Sequence, residues 1–327
     1  MTIILQENEI KKCVDINTDL IPIIEEAFVC LTKGLTIMPP VLRLDIKENH
    51  GEVDVKTAYI KGLDSFAIKV SPGFFNNPSL NLPTTSGMMI LLDSKTGILK
   101  SVLLDKGYLT NVRTAIAGAI AAKHLSNKDI STVGIIGAGI QAKLQLKALM
   151  LVRKPTIAYV WGRNDKKVKQ FIADNYSELK IKLIQSHNPE EVCKKSDVLI
   201  TTTPSTEPLI KSEWIRKGTH ITAMGSDAEH KNELDPKIVQ ECDLYIADKQ
   251  SQTTILGELH HAIKAKLISP EKIFTELGSV INKDVQGRSS KDAITVCDLT
   301  GTGVQDTAIA RYAFNLAMKN NFGLQLN

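Results

Sequence analysis

No run of apolar residues in this sequence approaches the roughly 18 that a membrane-crossing helix requires, so a spanning helix is not expected. The opening residues, Met1-Thr2-Ile3-Ile4-Leu5-Gln6-Glu7, turn acidic at once and carry no basic segment of the kind that begins a secretion signal. Cysteine is scarce and unpatterned: Cys13, Cys30, Cys193, Cys242 and Cys297 are odd in number, with no Cys-x-x-Cys pair. That spacing excludes a zinc ribbon or a disulfide framework, and it leads us to expect no metal and reduced thiols in a cytoplasmic protein. Cys297, inside the apolar run Ile294-Thr295-Val296-Cys297, reads as a small core residue rather than a nucleophile. Charge of one sign is not in excess either. A net charge of +4 spread over 327 residues leaves no footprint for nucleic acid. Lysine clusters such as Lys166-Lys167-Val168-Lys169 read as solvated helix faces. There is no internal repeat, no low-complexity linker, no Gly-x-Ser-x-Gly elbow and no Walker-type loop.

What is present begins with Val133-Gly134-Ile135-Ile136-Gly137-Ala138-Gly139-Ile140-Gln141-Ala142. A short apolar run ends in Gly-x-Gly-x-x-Ala and continues into a helix with Ile140, Leu144, Ala148 and Val152 spaced every four residues. In such a strand–turn–helix unit Gly137 permits the turn, Gly139 lets backbone approach a pyrophosphate, and Ala142 lets helix and strand pack closely. The helix N-terminus presents free N–H groups and a positive dipole end to phosphate. The spacing therefore predicts a dinucleotide site.

From about residue 130 strand and helix signals alternate, with strands expected at 132–136, 156–161, 180–185, 197–201, 219–224, 243–247 and 293–297. One helix start is explicit: Asn188 can cap, Pro189 suits the first position, and Glu191 is placed to reach back. Short strands alternating with helices predict an α/β fold with a doubly wound parallel sheet, a Rossmann domain over 126–303. Residues 1–125 read differently. An amphipathic helix over 18–36 is followed by strand-like runs at 41–46, 53–60, 67–70, 87–92 and 98–104, with turns at 63–65 and 93–97. Their close succession predicts antiparallel pairing in a second α/β domain. An alanine-rich helix over 110–125 leads into the Rossmann domain, and a final helix, 304–319, is expected to return to the first domain, giving 1–125 with 304–327.

These features together resemble the ornithine cyclodeaminase/μ-crystallin family over nearly the whole chain. The resemblance rests on Arg43, Val55-Lys56-Thr57-Ala58-Tyr59, Lys69, Leu82-Pro83-Thr84-Thr85-Ser86-Gly87 and Leu109-Thr110-Asn111-Val112-Arg113-Thr114-Ala115. It continues through the glycine turn to Met224-Gly225-Ser226-Asp227 and Gly301-Thr302-Gly303-Val304-Gln305-Asp306. It implies NAD(P)-dependent chemistry on amino and imino acids, and a homodimer built through the non-Rossmann domain.

On that resemblance Arg43, Lys69 and Arg113 bind the substrate's α-carboxylate, a task for which cations and guanidinium forks are suited. The local sequence agrees: Arg113 lies in a helix of small apolar residues and Lys69 in an apolar strand, where a charge is costly unless paired. Asp54 and Thr84 are implied in the substrate site, and Asp54 and Lys56 should share one strand face. Asp227 follows a strand at the end that faces the ligand crevice, and it is the candidate general acid/base, with Lys69 beside it as a catalytic candidate. Gly137, Gly139, Ile140, Gln141, Gly162, Arg163, Asn164, Thr201, Thr202, Thr203, Met224 and Gly225 are the candidate cofactor contacts.

An NAD-specific fold ends its second strand in an acid that grips the ribose 2′-OH. Here that place holds Gly162 followed by Arg163, which favours NADPH while leaving NADH possible. Asp165 is expected to cap the next helix. His260 and His261 lack companions at ligand spacing and read as surface residues. The resulting expectation is an NAD(P)H-dependent reductase of α-imino acids such as Δ1-pyrroline-2-carboxylate, with a small amino- or imino-acid substrate. The alternatives are a cyclodeaminase converting ornithine to proline and ammonia with bound NAD⁺, a relative of the ectoine-utilisation branch, or a non-catalytic μ-crystallin-like binder of NADPH and a small ligand.

Overall fold

The structure, a computed structural model, describes residues 2–326. The chain forms two compact units, residues 1–113 with 302–327 and residues 114–301. The division falls inside a helix, at Arg113–Thr114, and again at Gly301–Thr302.

The first unit is built on a mostly antiparallel sheet. Strands β1 (Thr2–Gln6), β2 (Thr36–Ile37), β3 (Leu42–Ile46), β4 (Gly51–Ile60), β5 (Ser65–Phe74), β6 (Met88–Asp93) and β7 (Leu99–Leu104) join the C-terminal strand β16 (Leu324–Leu326). The order is β16-β1-β7-β6-β5-β4-β2, with β3 also on β4. The β4–β5 and β6–β7 hairpins carry the expected antiparallel pairing. Strand β1, the helix α1 (Glu7–Cys13) and β16 were not expected from the sequence. β1 is five residues long, pairs parallel with β7, and is completed by residues from the far end of the chain, a pairing that no local pattern announces.

Helix α2 (Leu20–Thr32) buries Leu20, Ile21, Ile24, Ala27, Phe28 and Leu31, the face its periodicity predicts. The last helix, α11 (Gly303–Lys319), packs on β4, β5 and α2. Thr302 and Gln305 form a reciprocal capping box at its start. One turn in, Thr307 donates its hydroxyl to the Ala58 carbonyl (2.7 Å) and accepts the Ala67 N–H (3.0 Å), which pins α11 against the β4–β5 hairpin. Asp306 is thereby held against the same two strands.

The second unit is a Rossmann fold. Strands β8 (Thr132–Ile136), β9 (Ile157–Trp161), β10 (Lys182–Gln185), β11 (Val198–Thr201), β12 (His220–Ala223), β13 (Leu244–Ala247), β14 (Thr275–Glu276) and β15 (Thr295–Asp298) are all parallel. Their order is β10-β9-β8-β11-β12-β15-β13-β14. Strand order reverses between β8 and β11, and ligand crevices open at such a switch, beyond the carboxyl ends of the strands. The helix that carries the division is α3 (Tyr108–Leu125); α4 (Ile140–Leu149), α5 (Asp165–Leu179), α6 (Pro189–Lys195), α7 (Pro236–Glu241), α8 (Gln250–Thr253), α9 (Glu258–Lys264) and α10 (Leu277–Ile281) follow it.

Three local expectations are corrected here. Helix α4 turns Ala142, Gln145, Leu146, Ala148 and Leu149 inward, while Ile140 is 60% exposed. A strict four-residue spacing drifts off a 3.6-residue period, and the amide nitrogen of the buried Gln145 donates to the Thr114 carbonyl at 3.0 Å. Asn164, not Asp165, caps α5: its side chain accepts from the Lys167 N–H at 3.1 Å, and Asp165 is the first helical residue. At α6 Asn188 caps as expected, but Glu191 turns to the Ser186 hydroxyl and Lys195 instead of reaching back.

Among the described residues no helix is long and apolar enough to cross a membrane.

Candidate active site

In the first unit the site is built where α11, α3 and the β4–β5 hairpin converge. Lys69 stands mid-strand on β5, directly opposite Lys56 on β4, and Asp54 lies two residues before Lys56 on the same buried face. Lys69 Nζ is 2.9 Å from Asp306 Oδ2, and Arg113 Nε donates to Asp306 Oδ1 at 3.0 Å. The side chains of all three are 6% exposed or less. Two buried cations thus share one carboxylate. Burial pushes the Lys69 ammonium down to about 7, nearby Arg113 and Lys56 push the same way, and Asp306 opposes them. For Asp306 burial would raise the carboxyl, but Lys69 and Arg113 outweigh it and hold the group below its usual range. Asp105 is also near Lys69; it accepts the Leu109 N–H at 2.7 Å in the first turn of α3, and burial raises it to about 6.

Arg43 is held differently. Its Nε donates to Asp45 (2.9 Å), Nη1 to Asp54 (3.3 Å) and Nη2 to Glu52. The three candidate carboxylate binders are therefore divided: Lys69 and Arg113 meet at Asp306, while Arg43 sits among three acids on β3 and β4. Thr84 is half-buried in the irregular segment before β6, where its carbonyl accepts the Phe74 N–H.

In the second unit the glycine turn joins β8 to α4. Gly137 has φ +118°, and a Cβ there would stand 2.5 Å from Thr202 Oγ1, so no other residue fits without displacement. Gly139 is the N-cap of α4 with no capping side chain, and a Cβ on it would meet nothing within 4 Å. The open space borders a cavity of about 320 Å³ lined by Ala138, Gly139, Ile140 and residues of α5. An uncapped N-terminus facing open space fits a pyrophosphate. Gln141 is in the first turn of α4. Gly162 directly follows β9, and Arg163, Asn164, Lys166 and Lys167 after it are exposed.

The loops beyond β11 and β12 are tied together. Thr201 is fully buried, and the Thr202 hydroxyl donates to the Ile136 carbonyl. Thr203 donates both its N–H (2.6 Å) and its hydroxyl (2.7 Å) to Oε1 of the fully buried Glu233. Oε2 of the same carboxyl accepts the Gly225 N–H at 2.8 Å. Met224 is buried beside Gly225, and Asp227 follows two residues on with its side chain 42% exposed, 2.7 Å from Lys231 Nζ.

Residues 1–321 of the chain match the model of the ornithine cyclodeaminase/mu-crystallin family. This chain belongs to that family. An uncharacterized cyclodeaminase of Sinorhizobium fredii is 50% identical over 98% of this chain and 97% of its own. Two solved structures are similar throughout. Thermococcus litoralis Δ1-pyrroline-2-carboxylate reductase in complex with NADH and L-proline superposes with a TM-score of 0.94 at 28% identity, covering 99% of this chain and all of that one. An archaeal alanine dehydrogenase dimer with bound NAD does so with a TM-score of 0.92 at 32% identity, covering all of this chain and 99% of that one.

Within this family member, sequence reasoning quoted Asp306 as part of a motif but assigned it no role, and it did not single out Glu233 or Asp105. No local pattern marked Glu233, which lies in the polar run His230-Lys231-Asn232-Glu233-Leu234-Asp235. His260 and His261, read as surface residues, are half-buried instead. One His261 ring nitrogen lies 2.7 Å from the Lys231 carbonyl and one of His260 lies 3.2 Å from the Thr254 carbonyl, because α9 packs its first turn inward. Cys297 is fully buried and its thiol is raised by burial, as a core residue.

Proposed function

We propose that this chain is an NAD(P)H-dependent reductase of α-imino acids, taking cyclic ketimines of the Δ1-pyrroline-2-carboxylate class or open-chain imines. The observation that carries the reading is the convergence of buried Lys69 and Arg113 on a single carboxylate. Lys56 stands directly opposite Lys69, so three cations gather about this carboxylate, and the α-carboxylate of an imino acid fits such a cluster. The proline-bound relative supports this class, since proline is the reduced form of such a ketimine.

The first turn of α4, from Gly139 through Gln141, would hold the dinucleotide pyrophosphate, with Gly162, Arg163 and Asn164 at its adenosine ribose and Thr201–Thr203, Met224 and Gly225 along the rest. When bound, the dinucleotide supplies hydride to the carbon of the C=N bond. The chain's own work is to fix the substrate and move a proton. Lys69 and Arg113, with Arg43 recruited from its acidic partners, orient the carboxylate. Asp227, partly exposed and held by Lys231, holds or delivers the proton at the substrate nitrogen. Asp54 and Thr84 line the substrate side. The exposed Arg163, with no acid in place of Gly162, favours a 2′-phosphate and hence NADPH over NADH. A cytoplasmic homodimer completes the reading; the archaeal dehydrogenase relative is a dimer.

The test follows the absorbance of NADPH and NADH with Δ1-pyrroline-2-carboxylate, in parallel with ammonia release from ornithine. Cofactor oxidation, faster with NADPH, is the expected result. Ammonia release without net cofactor change would make the chain a cyclodeaminase, the activity in the name of its 50% identical relative.

A further inference from the structure

The second unit satisfies its irregular backbone with buried carboxyl groups. Asp248 accepts the N–H groups of Thr300 and Gly301 at 2.8 Å each, and Asp298 accepts the Tyr245 hydroxyl at 2.7 Å. Glu258 accepts from Asn232 Nδ2 and from the backbone N–H groups of Glu233 and Leu234. Asp248 and Glu258 each hold one segment, and the same oxygen of Asp298 also accepts the Leu259 N–H at 3.1 Å at the start of α9. Glu233 differs, because its two oxygens hold two different loops: Oε1 is bonded to Thr203, beyond β11, and Oε2 to Gly225, beyond β12.

We propose that Glu233 is a positioning residue whose single buried carboxyl sets the gap between these two loops, and through Gly225 sets where Asp227 stands. The contact is close. A Cβ on Gly225 would lie 2.2 Å from the Thr203 carbonyl oxygen and 2.4 Å from Glu233 Oε2, so no side chain fits at Gly225 between the two loops. Further bonds keep Glu233 itself still. Its carbonyl accepts the N–H groups of Leu209 and Ile210, its own N–H goes to Glu258, and Asn232 N–H goes to the Ser205 carbonyl. A carboxylate at this point offers acceptors in two directions to groups that are all donors. An amide cannot: its NH₂ end must face either Thr203 or Gly225, donor against donor. Desolvation raises the Glu233 carboxyl to about 7, against the lowering effect of these donors.

The inference rests on the assignment of Asp227 to proton transfer, and the test separates the two. Glu233→Gln is compared with the full-length wild type for NADPH affinity by fluorescence titration, for kcat and KM with Δ1-pyrroline-2-carboxylate, and for amide exchange of the peptide containing Gly225. Faster exchange at Gly225, weaker dinucleotide binding and a kcat lowered roughly 10–100-fold, the scale of a misplacement near 1 Å, with KM for the imine nearly unchanged, are the expected results. A lower melting temperature with exchange, dinucleotide affinity and kcat all unchanged overturns the proposal. Should Glu233→Gln fail to fold, Thr203→Val removes one of the three bonds and must shift the same readouts in the same direction. If the wild type reduces no imine, the functional reading falls, while exchange and dinucleotide affinity still decide the role of Glu233.

Discussion

Lys69 on β5 and Asp306 in the first turn of α11 meet at 2.9 Å with both side chains cut off from solvent. Arg113 adds a second bond to the same carboxylate from α3. The pairing is the link between fold and chemistry. Thr307 pins α11 onto the hairpin, and the neighbouring Asp306 then supplies the counter-charge that lets two cations be buried together.

Asp306→Asn leaves those cations without their carboxylate. Removing one partner from a buried ion pair costs about 3–5 kcal/mol, so thermal unfolding should show a clear loss of stability. Lys69 should also lose the bonded neighbour that raises its pKa. An unchanged melting temperature would show that the group is not what holds the cations.

Carboxylate binding should weaken as pH rises through about 7, the point to which burial and Arg113 push Lys69. Below it the amine is charged and attracts the ligand; above it the amine is neutral and the attraction is lost. Lys56, Arg113, Asp306 and Asp105 all act on this amine. The affinity of a carboxylate without a titrating nitrogen, furan-2-carboxylate, measures the effect. Lys69→Arg should flatten the profile, since a guanidinium stays charged. A flat profile in the wild type would contradict the assignment.

Asp227→Asn should leave NADPH binding nearly intact and lower turnover at least about 10²-fold, the usual scale for general acid–base catalysis. Stopped-flow cofactor oxidation checks it. A variant with full turnover would remove Asp227 from proton transfer.

Arg163→Ala should weaken NADPH more than NADH, because only the phosphorylated ribose offers the guanidinium an anion. Titration with both cofactors measures the difference. Equal loss for both would mean that Arg163 does not read the 2′-phosphate.

The Rossmann unit was legible in the sequence because its signals are local. Gly137 and Gly139 announce a turn, and β8 to β13 lie within a residue or two of their expected places. The hairpins of the first unit were legible from the close succession of strand-like runs and from their turn residues. Apart from the cap of α5 and the drifting period of α4, which are local, the misses come from contacts between segments far apart in the chain. β1 is a strand because β7 and β16 flank it. Gln145 is buried because a carbonyl on α3 awaits its amide. The candidate cations were found from their apolar surroundings, but that Lys69 and Arg113 share Asp306 while Arg43 sits with Asp45, Glu52 and Asp54 depends on tertiary placement. Glu233 was invisible for the same reason, since its donors, Thr203 and Gly225, come from two separate loops.

The most direct test of the central claim compares two substrates that differ only in the group Lys69 and Arg113 are assigned to bind. Reduction of Δ1-pyrroline-2-carboxylate and of 1-pyrroline, which lacks the carboxylate, is followed by NADPH absorbance under the same conditions. Loss of a buried charged contact leaves the protein's own groups unpaired, so kcat/KM should fall at least about 10²-fold for 1-pyrroline. Equal kcat/KM for the two imines would contradict the account.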